Sequence, residues 1–423
     1  MVLVGVMACE QQTPTGVDED VLPGQPVTLE LEFGWDEFAS NLEVLGGYGS
    51  PQELGTGVAA SKFAGNLDAR TLVRFSNYPG AVSVRDTTGT VRQDSSLVFV
   101  GGRVVAVFDT IASTNAGPVE LSIGALQHEW DAGTVTWSTA VDTINDRRSW
   151  PEEGAGEVVA LGTSTWDPEA GDSVWFEVDS AQIAAWADTT DQSRGVRIDV
   201  ITEGERLQIR DVKLRLNTRP SSNPDTILFL QSLREDITFV YSPFPEPPPA
   251  GIRVGGAPAW RTVLDVQIPT VLNGPAELCA AVQCPVTITP DQINYAALVL
   301  TSTTTERAFQ PTDTIGLDVR PVLLRSALPK APLGGSLIGL LGARVGPSAF
   351  GPTGSLEVEI PFTSFAQALV LGEDGDGSAP PNTLALLSIF EPVSITFGSF
   401  NGPGPLEPRL KMIVTVGAKV DLP

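Results

Sequence analysis

His128 is the single histidine among 423 residues, so any imidazole chemistry must pass through it. A Ser-His-Asp or Cys-His arrangement also needs a positioned nucleophile, and the surrounding LQHEWD (126–131) holds no G-x-S-x-G elbow. Imidazole-rich metal sites fall with the same count. Carboxylate pairs are the remaining acid–base option, since a glycosidase needs two of them about 5–10 Å apart across a cleft. Glu129 with Asp131, and Glu152 with Glu153, are near neighbours without such a context, so no catalytic residue is assigned and the chain reads as a non-enzyme. The loop EDGDG (373–377) offers hard oxygens and turn-permitting glycines, as calcium prefers, but lacks the full D-x-[DN]-x-[DN]-G spacing and a distal glutamate. It reads as an acidic turn, as does DTTDQSRG (188–195), and neither a metal nor a cofactor is expected.

Of the three cysteines, Cys279 and Cys284 lie together in CAAVQC. Two thiols without a nearby histidine make an incomplete zinc shell, so a disulfide that stiffens one short loop is the expected state. Seven of the eight tryptophans (Trp35, Trp130, Trp137, Trp150, Trp166, Trp175 and Trp186) lie in the first half, and Trp260 in the second. Trp137, Trp175 and Trp186 are expected in the core. Trp150 and Trp166 sit in turn-rich DRRSWPEE and TSTWDPE, beside Arg147, Arg148 and Asp167. Exposed rings are platforms for sugar faces, and two guanidinium groups suit uronate carboxylates. Trp150, Trp166, Arg147 and Arg148 are therefore the candidate ligand-binding set, provided that both rings are exposed; core or edge packing is the competing reading.

The elements that would carry these residues are strands. LVFVGGRVVAVFD (97–109) reads as two β-rich runs around Gly-Gly, while GVRIDVI and VKLRLN alternate apolar with polar residues. One short helix is expected in each half, DSAQIAAWA (179–187) and PFTSFAQALVL (361–371), each plugging one end of a sandwich. The order of elements repeats. VTLELE (27–32) matches TILFLQ (226–231), RTLVRF (70–75) matches RTVLDV (261–266), and VELSI (119–123) matches IGLDV (315–319). The stretch 176–200 matches 358–388, and every offset falls between about 180 and 200 residues. So long a period means tandem domains, not a solenoid. The proline-rich SPFPEPPPAG (242–251) corresponds to GGYGSPQELGTG (46–57) inside the repeat, so the boundary is placed at the turn-former cluster NTRPSSNPD (217–225).

Forty-two glycines, 34 prolines and only 18% charged residues favour short strands and turns over helices. The formal net charge of -25 repels nucleic acid and anionic membrane surfaces, so neither is an expected partner. The opening MVLVGVMACEQQ is similar to a bacterial lipobox, with Cys9 as the lipidated residue, although it lacks a basic n-region. A polar stretch follows and suits a tether.

WDAGTVTW (130–137) resembles the W-x-x-x-T-V-T-W signature of DNRLRE-type domains of exported bacterial proteins. RTLVRF resembles that family's early strand, and VDSAQIAAW…RGVRI its late helix–turn–strand block; together they span roughly 60–216. The second half keeps only the early strand and the late block. The resemblance implies a non-catalytic jelly-roll β-sandwich at a cell surface or appended to secreted enzymes, some relatives being modules for acidic polysaccharides such as alginate. The expectation is thus an all-β chain of two tandem jelly-roll-like β-sandwich domains, each with one short helix. Residues 1–9 would be a signal remnant, 10–24 a tether, 25–218 the first domain and 219–423 a divergent second copy. Its function would be that of an exported lipoprotein, lipid-anchored at the bacterial cell envelope, binding polysaccharide through loop aromatics. The alternative is a structural or adhesive protein that binds an envelope or surface protein, or itself.

Overall fold

The computed structural model describes residues 26–76, 78–187, 195–273, 279, 282, 284–339, 342–372 and 379–417, with the side chain of residue 233 left out. Cys9, the tether, EDGDG and nearly all of DTTDQSRG lie outside the described residues.

The chain opens with β1 (Val27–Phe33), the single-turn α1 (Trp35–Phe38) and β2 (Ala39–Tyr48). Then come β3 (Gly57–Phe63), β4 (Leu67–Ser76), the hairpin of β5 (Val82–Arg85) and β6 (Val91–Asp94), the long β7 (Leu97–Thr114) and β8 (Val119–Leu126). A second small hairpin, β9 (Thr139–Thr143) and β10 (Asp146–Ser149), precedes β11 (Val158–Trp166), β12 (Ser173–Val178), α2 (Ser180–Ala187), β13 (Val196–Val200) and β14 (Glu205–Pro220). The second half runs β15 (Leu228–Ser242), β16 (Gly251–Gly256), β17 (Ala259–Val266), β18 (Val271–Leu272), β19 (Val286–Thr287) and β20 (Ile293–Thr303). It ends with β21 (Ile315–Pro321), β22 (Ala343–Val345), β23 (Glu357–Pro361), α3 (Thr363–Leu371), β24 (Thr383–Ser388), β25 (Phe397–Asn401) and β26 (Arg409–Val416).

Nearly all of these strands join two large antiparallel sheets, so the chain is all-β with a few short helices. Each sheet wraps around its own apolar core. Phe75, Phe108, Trp166, Phe176 and Leu214 belong to the first, and Phe38, Leu298, Phe350, Leu386 and Met412 to the second. The alternation of the sequence accounts for these faces: in β26 every second residue from Leu410 to Val416 is buried, as a strand with one buried face requires.

The two sheets repeat one strand order. The first runs β11-β8-β13-β4-β15-β14-β7-β12. The second matches it as β22-β21-β24-β17-β2, continued through β1-β26-β20-β23. In the first sheet one long strand, β15, spans two partners, Leu228–Ser232 on β14 and Leu233–Ser242 on β4. In the second, β1 on β26 and β2 on β17 fill the equivalent places.

The repeats have therefore exchanged their first strands. VTLELE, which opens the first repeat, lies in the second sheet, and TILFLQ, which opens the second repeat, lies in the first. The divide moves accordingly. NTRPSSNPD is the turn of the β14–β15 hairpin, and the chain crosses between units at 49–56 and again at 243–250. Connection length is the physical cause: antiparallel strands joined by a short turn pair with each other. Asn223 N–H bonds Pro220 O at 3.3 Å and Thr226 N–H bonds Asn223 O at 3.1 Å, closing that turn. With its place on β14 taken by β15, β1 pairs with β26, the last strand of the second repeat.

An apolar seam joins the units. Phe63, Phe239 and Tyr241 of the first meet Trp260, Phe309 and Phe397 of the second. Ring centroids lie 6.0 Å apart for Tyr241–Phe309 and 5.3 Å for Phe309–Phe397, distances at which aromatic pairs attract beyond their burial.

Candidate functional site

Between β8 and β11 the chain builds a cap over the outer face of the first sheet. Trp130, Val135, Val141, Trp150 and Ala155 of the cap pack on Leu72 of β4 and Val240 of β15 as a small separate core. WDAGTVTW folds back on itself at its start. Thr134 Oγ1 donates to Asp131 Oδ1 at 2.8 Å, and Val135 N–H to Asp131 O at 2.9 Å. Its two terminal tryptophans are each covered by an arginine from β4: Arg74 lies 4.5 Å from the Trp130 ring centroid and Arg70 5.0 Å from that of Trp137.

Where the cap meets the seam, a groove of about 490 Å³ opens. Trp137, Tyr241, Phe244, Pro51 and Pro258 form its apolar walls, and Thr136, Ser138, Ser242 and Glu153 its polar ones. Phe244 is 47% exposed, with its ring against Trp260 at 5.5 Å and Tyr241 at 5.8 Å. Glu153 is shared with a neighbouring polar cavity of about 600 Å³, lined also by Arg70, Arg197, Glu152 and Glu157. The two guanidinium groups are fixed from behind. Both donate to Gly154 O, Arg197 also donates to Gly156 O, and Asp199 meets Arg197 Nε at 3.0 Å and Arg70 Nε at 3.5 Å. Burial first, and then the Arg197 charge, hold the Arg70 guanidinium below the ordinary arginine range, while Asp199 opposes both. Aromatic walls beside a few converging polar groups are the usual make-up of a small-molecule or chain-binding groove.

The four residues singled out from sequence do not form this site. Trp150 is 6% exposed and donates from Nε1 to Thr136 O at 3.0 Å. Trp166 is 1% exposed, donates to Gly171 O at 2.9 Å, and lies 4.5 Å from the Phe108 ring. Each indole N–H has thus found a backbone carbonyl and the rings are core, so neither is a platform. Arg147 and Arg148 are exposed on β10, but Arg147 faces Asp142 at 3.8 Å, while Arg148 pairs with Glu129 at 2.7 Å and Asp146 at 3.0 Å. Of the rings expected in the core, Trp186 is buried and Trp137 half-buried, but Trp175 is 54% exposed. The signal for Trp175 is in its strand: Val174, Phe176 and Val178 point inward, so Trp175 shares the outer face with Ser173 and Glu177. Phe244 was hidden inside a proline-rich segment whose composition reads only as connector. Cys279 and Cys284 form the expected disulfide. Among the described residues no group of three or more His, Cys, Asp or Glu could hold a metal ion.

No family model and no curated protein matches the chain. Two solved structures are similar in part. The structure of the Macrobrachium rosenbergii nodavirus aligns at 10% identity over 99% of this chain and 96% of that one, with a TM-score of 0.13. The C-terminal domain of the Streptococcus pyogenes antigen I/II-family protein AspA aligns at 9% identity over 82% and 91%, with a TM-score of 0.14. Both scores are below 0.5, and neither likeness carries an argument about this chain.

Proposed function

We propose that the protein is a non-catalytic structural or adhesive component of a bacterial cell envelope, a stiff pair of β-sandwiches that binds a surface partner or another copy of itself. The observation that carries this reading is the exchange of first strands across an aromatic seam. It ties the two units together by backbone ladders as well as by side chains, which suits a part that transmits load. The disulfide fits an oxidising, exported setting, and the lipobox-like VMAC ahead of Cys9 supplies an anchor in this reading. The test is a bead assay. Beads coated with the chain from residue 10 onward should clump with one another, or adhere to cells bearing the partner, without releasing low-mass products. Dispersed beads, together with turnover of any polysaccharide offered, would reject it.

A second reading, polysaccharide binding, rests on the groove and not on Trp150 and Trp166. Trp137 and Phe244 line it beside Glu153, Thr136 and Ser138, a combination suited to a sugar's apolar face and hydroxyls. Titration with neutral and acidic polysaccharides should then quench tryptophan fluorescence saturably, and a Trp137→Ala, Phe244→Ala double variant should abolish the response. An unchanged response in the folded double variant would remove the groove from consideration.

A further inference from the structure

A third cavity, of about 280 Å³, lies where β14 of the first unit faces β21 and the turn before β25 in the second. Arg206 of β14 is on its wall and is only 4% exposed. Its Nη1 donates to Ala308 O of the second unit at 2.9 Å, and its guanidinium lies 4.9 Å from the Phe63 ring centroid. Among the described residues it has no carboxylate partner, in contrast to Arg210 beside it, which pairs with Asp172 at 3.1 Å. A buried cation without a counter-ion is costly, and one carbonyl with one ring face only partly offsets the lost hydration. Burial pushes the Arg206 guanidinium down to about 10.

We propose that this inter-unit cavity binds a small carboxylate, with Arg206 supplying the charge. Thr312, Thr314 and Thr396 are on the walls beside apolar Leu54, Val393 and Ile395, and provide hydroxyls for a ligand that is part oxygen and part carbon. Charge selects a monoanion. Asp109 and Asp313 share the walls, and although Asp109 accepts the N–H groups of Ile111 and Ala112 within β7 and Asp313 that of Thr314, both repel a phosphate or sulfate more than a single carboxylate. The volume of about 280 Å³ admits a small organic acid with room to spare. Because the walls come from both units, occupancy would also fasten one to the other.

The test uses the whole chain carrying Cys9→Ser to keep it free of lipid, titrated with sodium acetate and sodium lactate against sodium chloride at matched ionic strength. The expected result is a saturable rise in melting temperature, with selective broadening of the 13C-acetate NMR line, and a smaller effect from sulfate or phosphate. Arg206→Lys should retain part of the response, and Arg206→Met should weaken the fitted affinity by about tenfold or more. Asp313→Asn, at an exposed wall position that does not depend on the fold of Arg206, should tighten acetate binding. No effect beyond chloride in the parent chain overturns the proposal. So does an unchanged response in folded Arg206→Met; if that variant does not fold, acetate binding unaffected by Asp313→Asn does the same.

Discussion

Asp94, at the end of β6, accepts hydrogen bonds from Ser222 Oγ and Ser222 N–H at 2.6 Å each, from Ser96 N–H at 2.9 Å and from Ser221 Oγ at 3.2 Å. The Ser222 hydroxyl, before the other donors, holds its carboxyl at about 2, far below the ordinary value of about 3.9. A carboxyl depressed in the folded state stabilises above its unfolded value, and that contribution fades as pH falls from about 4 to about 2. Asp94→Asn should therefore lower the urea midpoint at pH 7, with the gap to the parent closing through that window. Parallel pH profiles would show that these bonds contribute nothing. Trp166→Ala should cost about 3–5 kcal/mol in the same assay, as removal of a large core ring does, whatever ligand is present. A loss below about 1 kcal/mol would contradict the packing against Phe108. Both residues have sequence neighbourhoods that read as loops. Aspartate and serine clusters mark turns well, but which distant turn they fasten is a matter of topology. A tryptophan beside Asp-Pro can belong to a core strand that ends there, as Trp166 does.

At the scale of elements, alternation made the strands legible, a cap and apolar spacing with its repeat counterpart the two longer helices, and the close cysteine pair the disulfide. They could not reveal the exchange of first strands. VTLELE and TILFLQ have the same length and both read as strands, so either can occupy either place, and only the seven-residue connection 221–227 decides between them. Read as composition, that connection looks like a linker; read as a turn, it commits β15 to β14. The groove was illegible for a related reason, since its walls come from the cap, from β15 and from two inter-unit crossings that approach only after the exchange. One consequence is measurable. Removing residues 26–48 takes Phe33, Trp35 and Phe38 from the second core and strips one ladder each from β26, which keeps β20, and from β17, which keeps β16 and β24, while the first sheet keeps all its strands. Hydrogen exchange should then rise sharply over 251–417, with 57–242 largely protected. Equal loss in both regions would mean that the seam, and not the strand, holds the second unit together.

For the whole molecule, the exchange makes the chain close on itself. The first repeat's last strand, β14, pairs with the second repeat's first strand, β15, and the second repeat's last strand, β26, pairs with β1. Val27 stands opposite Val416, so the two ends of the fold meet in register. Intramolecular closure is favoured because the tethered strand is present at an effective concentration of roughly millimolar. The net charge of -25 also disfavours a second copy supplying it. The connectivity is then a matter of where the chain begins, and it can be rewritten. A circular permutant starting at residue 51, with 26–50 attached after 417 through a turn copied from 219–227, keeps every pairing of both sheets. It should fold to within about 2 kcal/mol of the parent, as tolerated changes at exposed termini do. Its two units are each contiguous in sequence, so proteolysis within 243–250 should yield two complete sandwiches held only by the seam and separable by mild denaturant. The parent cut at the same place should stay together, because β1 and β2 remain linked to β3 through 49–56. If both proteins dissociate at the same denaturant concentration, the ladders of β1 and β2 are not what binds the units, and the stiffness on which the proposed load-bearing role depends lies in the aromatic seam alone.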